Sequence, residues 1–398
     1  MTTTPDSGTV PDLATLVASA EALVTDIDFE SVRRWKAAAP GRRAIGFLPV
    51  WAPREIIRAA GMLPVGVFGG GDRIEIIRGD ACFQSYICHL PRSTVELGLT
   101  GRLDVLDGLL FPATCDVIRN LGGIWKLLLP NLPTRYIDVP QCDDSAVGVR
   151  FFATELRSLA ADFGALGGAP VTDDALRAAI AAYNDNRRRL RELAQLRRTQ
   201  PHLAPASEVY LMERAGCLLP VEEHTRLLED YLAAAARSTR RALDSCRVVV
   251  RGAFCEQPPL GLIRTLEKAG CDVVDDDLVL IGRWHRRDID TDGDPFEALA
   301  RAFLEDSVPT ASRWSGMARK GEDVVDAVRA SGAGGVIFIS ASFCDPALLD
   351  QPMLAAALDR AGIPYAAFKY SEETAQFQAI REQAGTFADS IRLWSEAG

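Results

Sequence analysis

Short, unbroken apolar runs followed by amphipathic stretches occur in two separate parts of this 398-residue chain. In the first part AIGFLPV leads to PREIIRAAG and LPVGVFG, and LDGLLFPAT leads to CDVIRNLGGIWKLLL and TRYIDVP. A strand that is apolar on both faces must be covered on both, and helices crossing between parallel strands supply that cover. The alternation therefore predicts a parallel α/β unit over residues 43–148. The same pattern returns at CRVVVRGAF, PPLGLIRTLEKAG, CDVVDDDLVLIG, VVDAVRASG, GGVIFISAS and PYAAFKYSE, predicting a second unit over residues 246–398. Between them, residues 149–245 carry apolar side chains at three- and four-residue spacing, as in TDDALRAAIAAYNDNRRRLRELAQLRR, and predict a helical linker region. Residues 1–42 predict an N-terminal helical arm, its apolar face made by Leu13, Leu16, Val17, Ala20, Leu23 and Val24. Two α/β units joined by helices leave a cleft into which loops from both sets of strand carboxyl ends can project.

Charge and motifs narrow what such a cleft could serve. The net charge of -10, from 54 acidic against 44 basic residues, disfavours a nucleic-acid partner. The start, MTTTPDSGTVPD, lacks the basic and apolar regions of a secretory signal, and no run approaches the roughly 20 apolar residues of a membrane span. A cytoplasmic location is the expectation, with no membrane partner. No GxxxxGK[ST] loop occurs, so no ATP site is expected on this chain, and GVFGGGD lacks dinucleotide-fingerprint spacing and reads as a turn. GxSxG, HExxH and CxxC are also absent, and none of the four histidines has a persuasive catalytic setting.

Nine cysteines remain to be explained. In a reducing compartment they are buried small residues or thiolate ligands rather than a disulfide framework. Cys115, in FPATCDVIRN, stands where an apolar strand gives way to a helix, a place where the helix amino terminus can stabilise a thiolate. Cys344, in VIFISASFCDP, has the matching place in the second unit. DACFQSYICHLPRSTVEL offers Cys82 and Cys88 as a third. Any one of these alone reads best as a buried cysteine; cysteines in equivalent loops point toward a metal site.

PREIIRAAGMLPV, YICHLPRSTVELGLTGRLDVLDGLLFPATCDVIRNL, FCDPALLDQPML and YSEETAQFQAIREQAGTFADSI together resemble the benzoyl-CoA reductase and 2-hydroxyacyl-CoA dehydratase subunit family, from about Gly46 to Leu393. The motifs lie nearest the smaller cluster-bearing subunits of its ATP-dependent reductase branch. The resemblance implies a pair of flavodoxin-like α/β domains with added helices and a [4Fe-4S] cluster in the interdomain cleft. Carried over motif by motif, its ligands are Cys88, Cys115 and Cys344, with Cys82 as the alternative to Cys88, and one iron left open. Cys142, Cys217, Cys246, Cys255 and Cys271 match no ligand motif and are assigned to structure.

The function so implied is an oxidoreductase acting on CH–CH bonds with an iron-sulfur protein as donor. It is the ATP-dependent two-electron reduction of the ring of benzoyl-CoA to a cyclic dienoyl-CoA, through a ketyl radical. Reduced ferredoxin supplies the electrons, and the implied partners are a larger homologous cluster-bearing subunit, ATP-hydrolysing iron-sulfur activator subunits and the aryl-CoA substrate. The alternatives are a 2-hydroxyacyl-CoA dehydratase subunit, a noncatalytic electron-relay or scaffold subunit, and a metal-free α/β binding protein. Glu55 is the candidate proton donor, since a partly buried carboxyl can keep a raised pKa; its bland reading is a first-turn glutamate favoured by the helix dipole. Arg92 and Arg119 are candidates to hold phosphate or thioester oxygens, against internal salt bridges as the equal alternative.

Overall fold

The computed structural model describes residues 11–141, 145–313, 320–371 and 377–396. Cys142 and part of the closing YSEETAQFQAI motif lie outside the described residues. The first unit is a sheet of β1 (Ala44–Phe47), β2 (Leu63–Gly66), β3 (Gly108–Pro112) and β4 (Thr134–Ile137), all parallel in the order β2-β1-β3-β4. The second repeats that order as β6-β5-β7-β8, from β5 (Cys246–Arg251), β6 (Cys271–Asp275), β7 (Gly335–Ala341) and β8 (Tyr365–Tyr370). Both match the first four strands of the flavodoxin-like order, and the sequence expectation of two parallel α/β units holds. Every residue of three of the four inner strands, β1, β3 and β7, is buried, whereas the fourth, β5, is interrupted by the half-buried Arg247 and Arg251. Edge strand β4 is half-buried, and its run is the more polar TRYI.

The first unit carries α3 (Arg54–Ala59), α4 (His89–Leu99) and α5 (Asp116–Leu128). The second carries α10 (Leu260–Lys268), α11 (Pro295–Glu305), α12 (Glu322–Ser331), α13 (Asp345–Ala361) and α14 (Phe377–Glu396). Between them lie α6 (Ser145–Ala165), α7 (Asp173–Thr199), α8 (Ala206–Ala215) and α9 (Val221–Ala236). The arm differs from the single helical stretch read from the sequence. It is two helices, α1 (Leu13–Val24) and α2 (Glu30–Ala37), because the Asp26 carboxylate accepts from the N–H groups of Asp28 at 2.9 Å and Glu30 at 2.6 Å and turns the chain between them. The arm is not free: α1 packs on α8 and α9, and Glu21 forms a two-pronged pair with Arg264 of α10 at 2.7 and 3.0 Å.

One apolar core runs through both units, joining Phe47 and Leu110 of the first sheet to Val248 and Ile339 of the second by way of the helices. At its centre the ring of Phe303 on α11 meets Trp51, Phe152 and Trp284 at centroid distances of 4.8, 4.7 and 5.7 Å. The long α7 adds a buried ion pair toward each unit. Its Arg187 pairs with Glu55 of α3, and its Arg197 pairs with Asp276 just beyond β6. Each such pair is poor at adding net stability yet strongly resists being pulled apart, so α7 fixes how the two units sit across the cleft.

Candidate metal centre

The loops at the carboxyl ends of the strands set the cysteines. From the end of β3 the chain runs Ala113, Thr114, Cys115 into α5; the Ala113 N–H donates to the Ile137 carbonyl at 3.1 Å and the Thr114 hydroxyl to the Pro49 carbonyl at 2.9 Å. From the end of β7 it runs Ser342, Phe343, Cys344 into α13, pinned where the Ser342 N–H donates to the Tyr370 carbonyl at 2.8 Å. The cysteine is the third residue past the strand in both, and it is the N-cap residue of the helix in both. Phe343 takes up a left-handed φ of 66°, which an exposed aromatic residue does not adopt without cost.

Cys88 reaches the same region by another route. The long excursion between β2 and α4 is fastened by the Glu96 carboxylate, which accepts from the N–H groups of Ile77, Arg78 and Gly79 at 2.9, 2.6 and 2.8 Å. The GVFGGGD segment is the turn expected: Gly69 has φ 71°, and a Cβ there would stand 2.3 Å from the Ser93 hydroxyl. Cys88 is the N-cap of α4 but its side chain caps nothing. The job passes to Glu256 of the second unit, whose carboxylate accepts from the Leu90 N–H at 2.8 Å across the cleft.

Cys88, Cys115 and Cys344 lie near enough for charge on one to be felt at another. Burial raises the Cys88 thiol most, followed by the charge of Glu256 and then by Cys344 and Cys115. Burial also raises Cys115, opposed by the N–H groups of Ile118 and Val117 at the start of α5 and reinforced by Cys344. Cys82 is not part of the group. Its thiol, 3.7 Å from the Arg78 carbonyl, is raised by burial and by Glu96, with none of the other cysteines acting on it. Cys246 and Cys271 are register partners at the opening residues of β5 and β6, the opposite end of the sheet, and Cys217 is buried beside Gly66.

Cys255, assigned to structure from the sequence, is buried near these thiols. It lies four residues past the end of β5, and its thiol is raised chiefly by contact with the Cys344 thiol, then by burial, with Cys115 and Cys88 adding to it. The signal in the sequence was its strand-to-loop placement in CRVVVRGAFC, the same placement that marked Cys115 and Cys344.

Glu55 and the two arginines are placed elsewhere or otherwise engaged. Glu55 is buried in its ion pair with Arg187, and Arg92 pairs with Asp80 at 2.8 Å. Arg119 is exposed one turn past Cys115, its guanidinium 5.6 Å from the centre of the Tyr136 ring. A cavity of about 130 Å³ is lined by His89, the residue after Cys88, with Glu256, Arg73, Arg214 and Tyr370.

Among the described residues, no group of three or more His, Cys, Asp or Glu side chains is gathered to hold a single metal ion. A cubane cluster is a wider body, with its thiolate ligands at separate corners, and the donor set suits it better than it suits a lone ion. The thiols are unpaired by disulfides, come from different loops and meet at helix amino termini whose N–H groups favour thiolate. Burial favours the protonated Cys88 and Cys115 thiols; a bound cation would favour thiolate instead.

Twin parallel sheets of like strand order, with cysteine-bearing loops at their strand carboxyl ends, define a two-unit α/β protein. Residues 49–391 match the family model described as 2-hydroxyglutaryl-CoA dehydratase, D-component. The chain is 51% identical to one of the subunits of benzoyl-CoA reductase from Thauera aromatica, over 96% of this chain and 99% of the relative. It is 30% identical to the beta subunit of (R)-2-hydroxyglutaryl-CoA dehydratase of Acidaminococcus fermentans, over 89% and 94%, and 25% identical to the (R)-phenyllactyl-CoA dehydratase beta subunit of Clostridium sporogenes, over 88% and 92%. The chain belongs to the benzoyl-CoA reductase and 2-hydroxyacyl-CoA dehydratase subunit family. None of its described helices is long and apolar enough to cross a membrane.

Proposed function

We propose that this chain is the smaller cluster-bearing subunit of an ATP-dependent benzoyl-CoA reductase complex, with a [4Fe-4S] cluster held by Cys88, Cys115 and Cys344. The observation that carries this reading is the meeting of three thiols from three loops, in a chain 51% identical to a benzoyl-CoA reductase subunit over nearly its whole length. The relatives are named as subunits, which supports work within a larger assembly: a larger homologous subunit, ATP-hydrolysing iron-sulfur activators and ferredoxin as distant donor. When bound, the cluster supplies one-electron reduction at low potential.

The chain's own residues hold and orient. The N–H groups of Val117 and Ile118 point negative-charge stabilisation at the Cys115 sulfur, and Glu256 ties the start of α4 to the second unit so that Cys88 cannot drift from Cys344. Arg119, exposed beside Cys115, is the arginine placed to meet an anionic handle of a thioester approaching the site, whereas Arg92 is held by Asp80. The cytoplasm, where thiols stay reduced, suits a thiolate-held cluster.

The test is anaerobic assembly with the larger subunit and the activator, supplied with benzoyl-CoA, ATP and reduced ferredoxin. Cyclic dienoyl-CoA should form with ATP hydrolysed in proportion to turnover. The dehydratase reading is favoured by the description of the family model and by the relative at 30% identity. It predicts instead that a 2-hydroxyacyl-CoA loses water with the same electron recycled over many turnovers, so that ATP use falls far below one event per product.

A further inference from the structure

We propose that Cys246 and Cys271 are a site of reversible oxidation, closing into a disulfide across the first rung of β5 and β6 when a peroxide reaches the chain. The inference stands apart from the cluster reading, because these thiols lie at the end of the second sheet away from the strand carboxyl ends and no proposed ligand takes part.

Strand register carries the pairing. Cys246 opens β5, Cys271 opens β6, and the two are partners in the parallel register of those neighbouring strands. Register partners project to the same face of a sheet, and both cysteines belong to the core that Ala384 and Ala388 of α14 cover. The Cys271 Sγ lies 3.9 Å from the Ala384 carbonyl oxygen. A Cβ at Gly334 would meet the Ile391 side chain of α14 at 2.5 Å and the Cys246 Sγ at 3.9 Å. Adjacent strands run about 4.8 Å apart, inside the span of about 4.4–6.8 Å between Cα atoms that a disulfide bridges. The Cys246 Sγ rests 3.9 Å from the Arg247 carbonyl oxygen, and a thiol is a weak donor, so a turn about one Cα–Cβ bond releases it toward its partner at little cost.

The surroundings set which thiol reacts first. Burial pushes Cys246 up to about 11 and Cys271 up to about 12. At Cys246 the Arg392 guanidinium of α14 opposes burial and Asp272 of β6 adds to it; at Cys271, Cys246 and Asp272 add to burial, with Arg392 and Asp389 of α14 acting in opposite senses. Both are thiols at rest, and Cys246 is the readier to give thiolate. That thiolate attacks one oxygen of the peroxide, the O–O bond breaks, and one water leaves a sulfenic acid on Cys246. The Cys271 thiolate then displaces the hydroxyl as a second water. Two thiols become one disulfide as one hydrogen peroxide becomes two waters, the thiol protons leaving in the water. Cβ atoms at the strand spacing stand beyond the roughly 3.5–4.5 Å of a relaxed disulfide, so the bond is readily reduced by a dithiol. While it lasts it ties edge strand β6, which ends at Asp275 and leads into Asp276, the partners of Arg198 and Arg197 on α7, to its neighbour.

The experiment uses the full chain, reduced, freed of reductant anaerobically, treated with hydrogen peroxide, then unfolded in alkylating reagent and digested for mass spectrometry. A peptide pair linked through Cys246 and Cys271 should appear and vanish on treatment with dithiothreitol, while Cys217 is recovered alkylated. Its rate of formation should rise roughly tenfold per pH unit from about pH 7 to about pH 9, following the thiolate fraction. Recovery of both cysteines as separate alkylated peptides at both pH values, from a chain that keeps its helical circular dichroism, would overturn the proposal. So would a linked pair that forms only in urea, or one in which Cys246 joins Cys217 or Cys255 as often as it joins Cys271.

Discussion

Replacing Glu55 by Gln separates the two roles its position allows, proton donor or internal counter-ion. The side chains of Glu55 and Arg187 are each 4% exposed and paired, and Arg187 also donates to the Asn184 side-chain oxygen at 2.8 Å. Burial works to lower the Arg187 pKa, and the Glu55 charge is the first influence opposing it. Arg54, stacked on Tyr183 at 4.7 Å, adds like charge nearby. Glu55→Gln therefore strands a guanidinium in the interior, and removing one partner of a buried pair costs about 3–5 kcal/mol. With a urea dependence of about 3 kcal/mol per molar, the midpoint of unfolding falls by about 1–1.7 M. Glu55→Gln combined with Arg187→Met removes both charges together and should recover most of that loss. An unchanged midpoint with lost turnover of the assembled complex would refute the counter-ion role and return Glu55 to proton donation.

Three further outcomes follow from the same geometry. Anaerobic reconstitution should leave Cys88→Ala, Cys115→Ala and Cys344→Ala without a stable cluster and Cys82→Ala with one; iron analysis showing Cys82 needed and Cys88 dispensable would reverse the choice between them. Burial holds His224 down from 6.5 to about 4, with its ring between the Asn186 side-chain amide at 3.0 Å and the Met212 carbonyl at 2.9 Å. The unfolded chain thus takes up a proton that the folded chain refuses. Stability is full above the unfolded pKa and falls by roughly 3 kcal/mol as the pH drops through the window between the two values. His224→Gln should flatten that part of a denaturation-versus-pH curve, and an unaltered curve would remove His224 as its cause. Glu256→Ala takes away the cap that α4 receives across the cleft, at a cost of about 0.5–2 kcal/mol. Hydrogen exchange at the Leu90 amide should quicken, and unchanged protection would show that the cap contributes nothing.

The fold was legible because three of the four inner strands are buried on both faces, and that requirement is written locally in AIGF, GLLFP and GVIFISA. Cys115 and Cys344 were legible for a related reason, since each follows such a strand directly and opens a helix. Cys88 was harder. It arrives after a long excursion whose path is set by Glu96 and by the close approach of Gly69 to Ser93, neither of which is a local pattern. The pairing of Glu55 was out of reach of sequence reading, because its partner lies 132 residues away and only packing makes them neighbours.

The division of the proposed ligands between the units carries a consequence for how such a site is made. Cys88 and Cys115 belong to the first unit and Cys344 to the second, and the Glu256 cap on α4 crosses between them. Neither unit alone presents all three proposed thiols. A cluster has fixed dimensions, so the width of the cleft must be set by something other than the cluster if binding is not to drag the units together at a cost in affinity. That setting comes from α7, whose Arg187 and Arg197 are bound to opposite units, and from the shared aromatic core around Phe303. The buried charges that contribute little to net stability are in this view the parts that hold the proposed ligands at a spacing no single loop could fix.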